Sequence, residues 1–304
     1  MLEKQVEQYI AIRRSMGYTC GFDYHMLKNF TVFAEARGDT FVRAARAVEF
    51  ASRARSPKSR QIRLSMVRNF ALAMRSEESN HEVPPPDALG CVIARRPKPY
   101  IYSSEEIFRL IRAAAQLPPA GSMRPLTYAT LFGLLAATGM RISEALALKL
   151  EDVTEDGLII RNTKFGKSRL LPLHDTTHGA LNRYLSKRMR LTDTNDDLLV
   201  SNTGRAPAYP TVERVFRQLS LSVGLRTGSG RGWPRMHDLR HTFAVRCLER
   251  CKGGREAAGR CMLALSTYLG HGQIANTYWY LEATPLLMRQ IASAGETHYT
   301  GEPS

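Results

Sequence analysis

His237-Asp238-Leu239-Arg240-His241-Thr242-Phe243-Ala244 is the stretch on which the fold turns. Read as a helix, it projects His237 and Arg240 from one face a turn apart, because residues three apart are neighbours on a helical surface. Upstream, Ala137-Thr138-Gly139-Met140-Arg141-Ile142-Ser143-Glu144-Ala145-Leu146 sets an arginine at the start of an otherwise apolar helix. A buried arginine is costly unless paired, so Arg141 is either a structural partner of Glu144 or a functional cation. Downstream, Leu269-Gly270-His271 is followed by Thr277-Tyr278-Trp279-Tyr280. Taken singly, such a His or Tyr is usually a core residue with a satisfied polar tip. Only the set carries weight.

Around these segments the chain reads as mostly helical. Ser103-Ser104-Glu105-Glu106 has capping-box spacing and leads into Ile107, Leu110 and Ile111. Tyr128 to Met140 is too short to span a bilayer and reads as a buried helix. One β element stands out: Gly157 to Lys164 and Ser168 to Leu173 flank Phe165-Gly166-Lys167, a short glycine-containing connection of the hairpin kind. Before this region, Pro84-Pro85-Pro86 and Arg95-Arg96-Pro97-Lys98-Pro99 cannot continue a helix, so 83–101 reads as an extended basic linker. The first third reads as helices over Leu2–Met16, Tyr24–Arg37, Thr40–Arg55 and Gln61–Arg75. In the last of these, Ile62, Met66, Phe70 and Met74 form an apolar stripe facing a small core. Arg60, Arg63, Arg68 and Arg75 lie off it, on a face that is either solvated or turned toward DNA.

The composition is basic. Lys and Arg total 43 against 28 acidic residues, a formal charge of +15 over 304 residues. That surplus favours a polyanionic partner, since each cation that neutralises a phosphate releases a condensed counterion. The N-terminus lacks a basic head followed by an apolar run, so no signal peptide is expected. Five cysteines and no export signal predict reduced thiols, and Cys247, Cys251 and Cys261 lack zinc-site spacing. Asp193, Asp196 and Asp197 sit in turn-like surroundings rather than in a metal motif. No Walker loop, dinucleotide fingerprint or H-E-x-x-H helix is present. Neither cofactor nor metal is expected. Phosphoryl chemistry without a metal needs fixed cationic side chains in its place.

Those cations fit a known pattern. The chain resembles the tyrosine recombinase, or phage integrase, family, whose T-G-x-R-I-S-E segment is matched at Thr138 to Glu144. Its H-x-L-R-H-T-F-A box is matched at His237 to Ala244, and its L-G-H at Leu269 to His271. The family's nucleophilic tyrosine follows that histidine by nine positions, which Tyr280 satisfies; Tyr278, two residues earlier, is the competing hydroxyl. The family's hairpin lysine corresponds to Lys164 rather than Lys167. The resemblance implies that Tyr280 attacks the scissile phosphorus and leaves a 3′-phosphotyrosyl bond. It gives Arg141, Arg240 and His271 the non-bridging oxygens, Lys164 the departing 5′ oxygen, and His237 the part of base or proton relay.

The implied architecture is mainly α with a small antiparallel β element. A helical core-type DNA-binding domain over 1–82 would precede the linker 83–101 and a mostly helical catalytic domain over 102–304. Thr284-Pro285, then Leu286, Leu287, Met288 and Ile291, predict a terminal helix over about 284–294; it packs on its own domain or, as the resemblance implies, docks on a neighbouring protomer. The expected partners are double-stranded DNA, further copies forming a tetramer on it, and accessory recombinases, with no membrane. The expected setting is the cytoplasm, at the nucleoid. Strand exchange through a Holliday junction follows, and Leu265 to His271 with Thr277 to Pro285 looks most like transposon-borne members acting in integration or transposition. The stretch from Arg240 to His271 is longer than in compact members, with the excess placed at Lys252-Gly253-Gly254-Arg255. Two alternatives are a monomeric topoisomerase of the same chemistry and a DNA-binding regulator with a dead site.

Overall fold

The computed structural model describes residues 2–90, 99–161, 168–191, 195–225, 234–251 and 255–270, together with Thr277 and Tyr280. The architecture is mainly α-helical with one small antiparallel sheet. Two compact units divide the chain, Met1–Arg96 and Pro97–Ser304.

The first unit is built from α1 (Leu2–Ser15), α2 (Gly21–Glu35), α3 (Ala44–Ser52) and α4 (Pro57–Arg75). Helix α4 begins where Ser56 accepts a hydrogen bond from the Ser59 N–H and Pro57 supplies a preset first turn. Its buried residues are Leu64, Val67, Phe70, Ala71 and Met74, whereas Ile62 is exposed. The predicted four-residue stripe therefore does not hold. A step of four overshoots the 3.6-residue turn by roughly 40°, so such a stripe winds off the core face. Three of the four α4 arginines are engaged by carbonyls of their own unit: Arg60 with Ala54, Arg63 with Phe50 and Arg68 with Pro84. Residues that read as the start of a linker also belong here. Val83 and Leu89 pack on the core, and Gln61 reaches the Pro86 carbonyl at 2.9 Å.

The second unit starts with α5 (Ser104–Ala114), capped as its sequence predicts: Ser103 Oγ accepts from the Glu106 N–H, and the Glu106 carboxylate accepts from the Ser103 N–H. Next comes α6 (Met123–Thr138), the centre of the core, burying Tyr128, Leu131, Phe132, Leu134 and Leu135. Each such side chain withdrawn from water contributes on the order of 2 kcal/mol. After α7 (Ile142–Ala147) and a 3₁₀ turn at Leu150–Asp152, strands β1 (Val153–Thr154), β2 (Gly157–Ile160) and β3 (Arg169–Leu171) pair in that order. Leu158 faces Leu171 and Ile160 faces Arg169. Helices α8 (Asp175–Arg188), α9 (Tyr209–Ser222), α10 (His237–Glu249) and α11 (Arg255–Leu269) complete the unit.

Asp196 and Asp197 are both bonded by the Lys149 ammonium at 2.8 Å, so that acidic turn is an ion-paired one. Cys251 and Cys261 join in a disulfide with Cα atoms 6.5 Å apart, where composition predicts reduced thiols. Their ten-residue spacing conveys nothing by itself; the packing of α11 against α10 brings them together. The hairpin connection with Lys164, the loop at 252–254, His271, Tyr278 and the expected helix over 284–294 lie outside the described residues. Among the described residues no helix is long and apolar enough to cross a membrane.

Candidate active site

The site is assembled where α6, α7, α10 and the end of α11 meet. Helix α6 stops at Gly139, whose backbone is left-handed (φ 62°). A Cβ there would also lie 2.6 Å from the Phe243 ring. Thr138 back-bonds to the Leu134 carbonyl and accepts from the Met140 N–H, which closes the turn. Arg141 follows as the N-cap of α7, and Glu144 in that helix's first turn accepts from the Arg141 N–H at 2.9 Å.

Arg141 has the structural partner the sequence offers it, Glu144, and still keeps part of its side chain exposed. Its Nη1 pairs with Glu144 at 2.7 Å, its Nη2 donates to the Gly270 carbonyl at 3.0 Å, and 30% of the side chain remains exposed. Arg240, on α10, is buried. It donates through Nη1 to the Gly139 carbonyl at 2.7 Å and through Nη2 to the Leu269 carbonyl at 2.8 Å. Burial, and then the neighbouring charge of Arg141, bring the Arg240 pKa down to about 10, so it stays a cation at neutral pH. A guanidinium has five N–H donors, so the bonds that fix each plane need not exhaust its capacity for phosphate.

His237 opens α10 one turn before Arg240, as the spacing predicts. Desolvation and then the charge of Arg240 hold its pKa below the usual imidazole range, with Asp238 pulling the other way, so the ring is neutral near pH 7. The start of α10 is pinned from outside. Buried Asp238 accepts from the Arg235 N–H at 2.8 Å and from its guanidinium, Tyr102 donates to the Arg235 carbonyl, and Thr242 accepts from the Tyr102 N–H. His241 continues the face. Its ring lies 4.7 Å from His237 and 5.4 Å from Tyr280, centroid to centroid.

Tyr280 is 2% exposed and packs in a cluster with Val245, Leu248, Leu265 and Leu269. Its ring lies against that of His241, the residue that follows Arg240 on α10. Thus Arg141, His237, Arg240 and Tyr280 are brought together, while Lys164 and His271 fall outside the described residues.

Two participants escaped the sequence reading. His241 looked like part of a motif rather than a ring standing between His237 and Tyr280. Arg169 falls in the hairpin stretch but was given no role there, yet both its terminal nitrogens bond Glu144, at 3.1 and 2.8 Å. A signal was available: alternation along β3 places Arg169 on the face of buried Leu171 and opposite exposed Leu170. A charged residue on the inward face of a short strand wants a buried partner.

The family model described as "Phage integrase family" matches residues 102–285. A Sinorhizobium fredii protein named as an integrase/recombinase (y4rB) is 37% identical over 295 residues, covering 94% of each chain. The tyrosine recombinase XerD of Caulobacter vibrioides is 32% identical over 239 residues, 76% of this chain and 73% of that one. Among solved structures, a lambda integrase tetramer bound to a Holliday junction shares the fold with a TM-score of 0.63 at 16% identity, covering 92% of this chain and 76% of the other.

Proposed function

The chain belongs to the phage integrase family and is a tyrosine recombinase, an enzyme of site-specific DNA breakage and rejoining; from that premise we propose that Tyr280 is its nucleophile, served by Arg141, Lys164, His237, Arg240 and His271. The Tyr280 oxygen bonds to phosphorus as the bond from phosphorus to the 5′ oxygen breaks. His237, neutral at pH 7, receives the tyrosine proton, and Lys164 on the hairpin gives one to the departing 5′ oxygen. Arg141 and Arg240 hold the two non-bridging oxygens as charge gathers on them, with His271 as a third donor. The phosphotyrosyl bond conserves the energy of the broken phosphodiester, so a 5′ hydroxyl from another strand can reverse the step without a nucleotide cofactor.

The observation that supports this reading most is the convergence of two arginines, far apart in sequence, on adjacent carbonyls beside the helix that packs against Tyr280. Because Tyr280 is buried, attack requires the side chain to turn out of its apolar cluster toward the phosphate. The substrate is duplex DNA, consistent with the basic surplus. By likeness to the lambda integrase tetramer bound to a Holliday junction, four copies exchange strands through such a junction; the apolar residues over 284–294 suit docking on a neighbour. Integration or transposition at the nucleoid is the setting proposed, with accessory recombinases as further partners.

A nicked suicide duplex tests the assignment, because loss of the short 5′ fragment traps the covalent adduct. Tyr280→Phe is expected to form no adduct and Tyr278→Phe to form it normally. An adduct retained by Tyr280→Phe refutes the choice of nucleophile.

A further inference from the structure

The geometry points to Arg169 as a positioning residue that keeps the charge of Arg141 available to the phosphate, an inference that rests on the role proposed for Arg141. Glu144 is buried, its side chain 7% exposed, and its two oxygens are held by two arginines. Arg169 grips both oxygens through Nη1 and Nη2; Arg141 reaches one through Nη1 and the other through its backbone N–H. Burial alone raises a carboxyl pKa, yet the bonds from Arg169 and Arg141 outweigh it and leave Glu144 below its ordinary value, ionised at neutral pH.

Charge counting then gives Arg169 its part. One carboxylate shared by two guanidiniums leaves one positive charge over, and Arg141, 30% exposed beside Arg169 at 13%, is the arginine an anion can reach. Without Arg169, Glu144 and Arg141 cancel, and an incoming phosphate meets a neutral pair. The shape of the site depends on it as well. Arg169 Nε donates to the Tyr268 carbonyl at 2.9 Å while Arg141 donates to that of Gly270, so the two arginines clasp the end of α11 from either side of Glu144. Gly270 makes room: a Cβ there would lie 2.7 Å from Arg169 Nη1.

The test measures single-turnover adduct formation on the nicked duplex, carrying either an ordinary phosphate or a methylphosphonate at the scissile position, with DNA affinity measured alongside. Methylphosphonate has no negative charge to neutralise. Arg169→Gln is expected to slow cleavage of the phosphate substrate by about a hundredfold, the cost of one preorganised donor, at nearly unchanged affinity. On methylphosphonate the deficit is expected to shrink to within about threefold, since one charged oxygen is replaced by a methyl and less charge gathers in the transition state. Arg169→Gln with Glu144→Gln removes both charges and is expected to recover at least about tenfold over the single variant. This double variant also relieves the unpaired buried carboxylate should the single one fold poorly. Equal losses on both substrates, or a double variant no faster than Arg169→Gln, overturn the inference. A wild-type chain that yields no Tyr280-dependent adduct removes the underlying reading first, and with it the inference, which separates the two failures.

Discussion

Arg240 and Arg141 end on consecutive carbonyls: Arg240 Nη2 bonds Leu269 at 2.8 Å and Arg141 Nη2 bonds Gly270 at 3.0 Å. Arg240 also reaches back to Gly139, so a single planar fork ties the end of α6 to the end of α11. A lysine keeps the charge but has one compact ammonium and no fork. Arg240→Lys is therefore expected to cut single-turnover cleavage by at least about a hundredfold, because both placement and donor number are lost. DNA affinity, spread over many phosphate contacts, should change little. A lysine variant within a few-fold of wild type would show that charge alone suffices.

Gly270→Ala addresses the same junction from the backbone. Gly270 has φ 65°, a left-handed conformation that costs an L-residue roughly 1–2 kcal/mol. The added methyl would also sit 2.7 Å from Arg169 Nη1 and 3.1 Å from its Cζ. Equilibrium denaturation is expected to show a loss of about 1 kcal/mol or more, with cleavage falling as the Arg169–Glu144 fork is pushed aside. Undiminished stability would contradict the conformation assigned to this turn.

Local chemistry explains what was readable in the chain. The Ser103–Glu106 capping box joins residues three apart, so it could be read directly; the left-handed Gly139 that ends α6 at Thr138, two residues short of Met140, was not read. His237 and Arg240 share a face because helical geometry requires it. Arg169 stayed hidden because its partners, Glu144 and Tyr268, lie 25 and 99 positions away. Long-range pairing leaves no periodic trace. The same holds for Cys251 with Cys261, and for the burial of Tyr280, which depends on α10 and α11 closing over it. In α4 the misreading was one of period: Leu64, Val67, Phe70 and Met74 follow the helix, whereas a stripe of fours does not.

His237 carries a pH prediction. Desolvation and the charge of Arg240 lower its pKa, so its basic form persists below the usual imidazole midpoint of about 6.5. If it takes the proton of Tyr280, cleavage at subsaturating DNA should sit on a plateau near pH 7 and fall on the acid side of that depressed value. His237→Gln is expected to be slower by about a hundredfold or more and to lose the acid limb. An identical acid limb in the variant would assign the titration to another group.

A second histidine ties stability to pH in the first unit. His81 is buried, edge-on to Phe41 and Phe70, and its Nδ1 accepts from the Val42 N–H at 3.2 Å. Next to it, the Glu82 N–H donates to the Val42 carbonyl and the Glu82 carboxylate accepts from the Ala44 N–H, the first residue of α3. Burial lowers the His81 pKa, and Glu78, 3.8 Å from Nε2, offsets only part of that. The sign follows. Above the unfolded value of about 6.5 both states are neutral and the contribution is complete; as pH falls the unfolded chain takes a proton first, and stability is lost down to the lower folded pKa. Protonated Nδ1 cannot accept, so the buried Val42 N–H would lose its partner. Lowering the pH from about 7.5 to about 5 should reduce the denaturation midpoint and the hydrogen-exchange protection of the Val42 and Ala44 amides. His81→Gln, which can accept but does not titrate, should flatten both responses. Parallel pH profiles for wild type and His81→Gln would rule out His81 as the source.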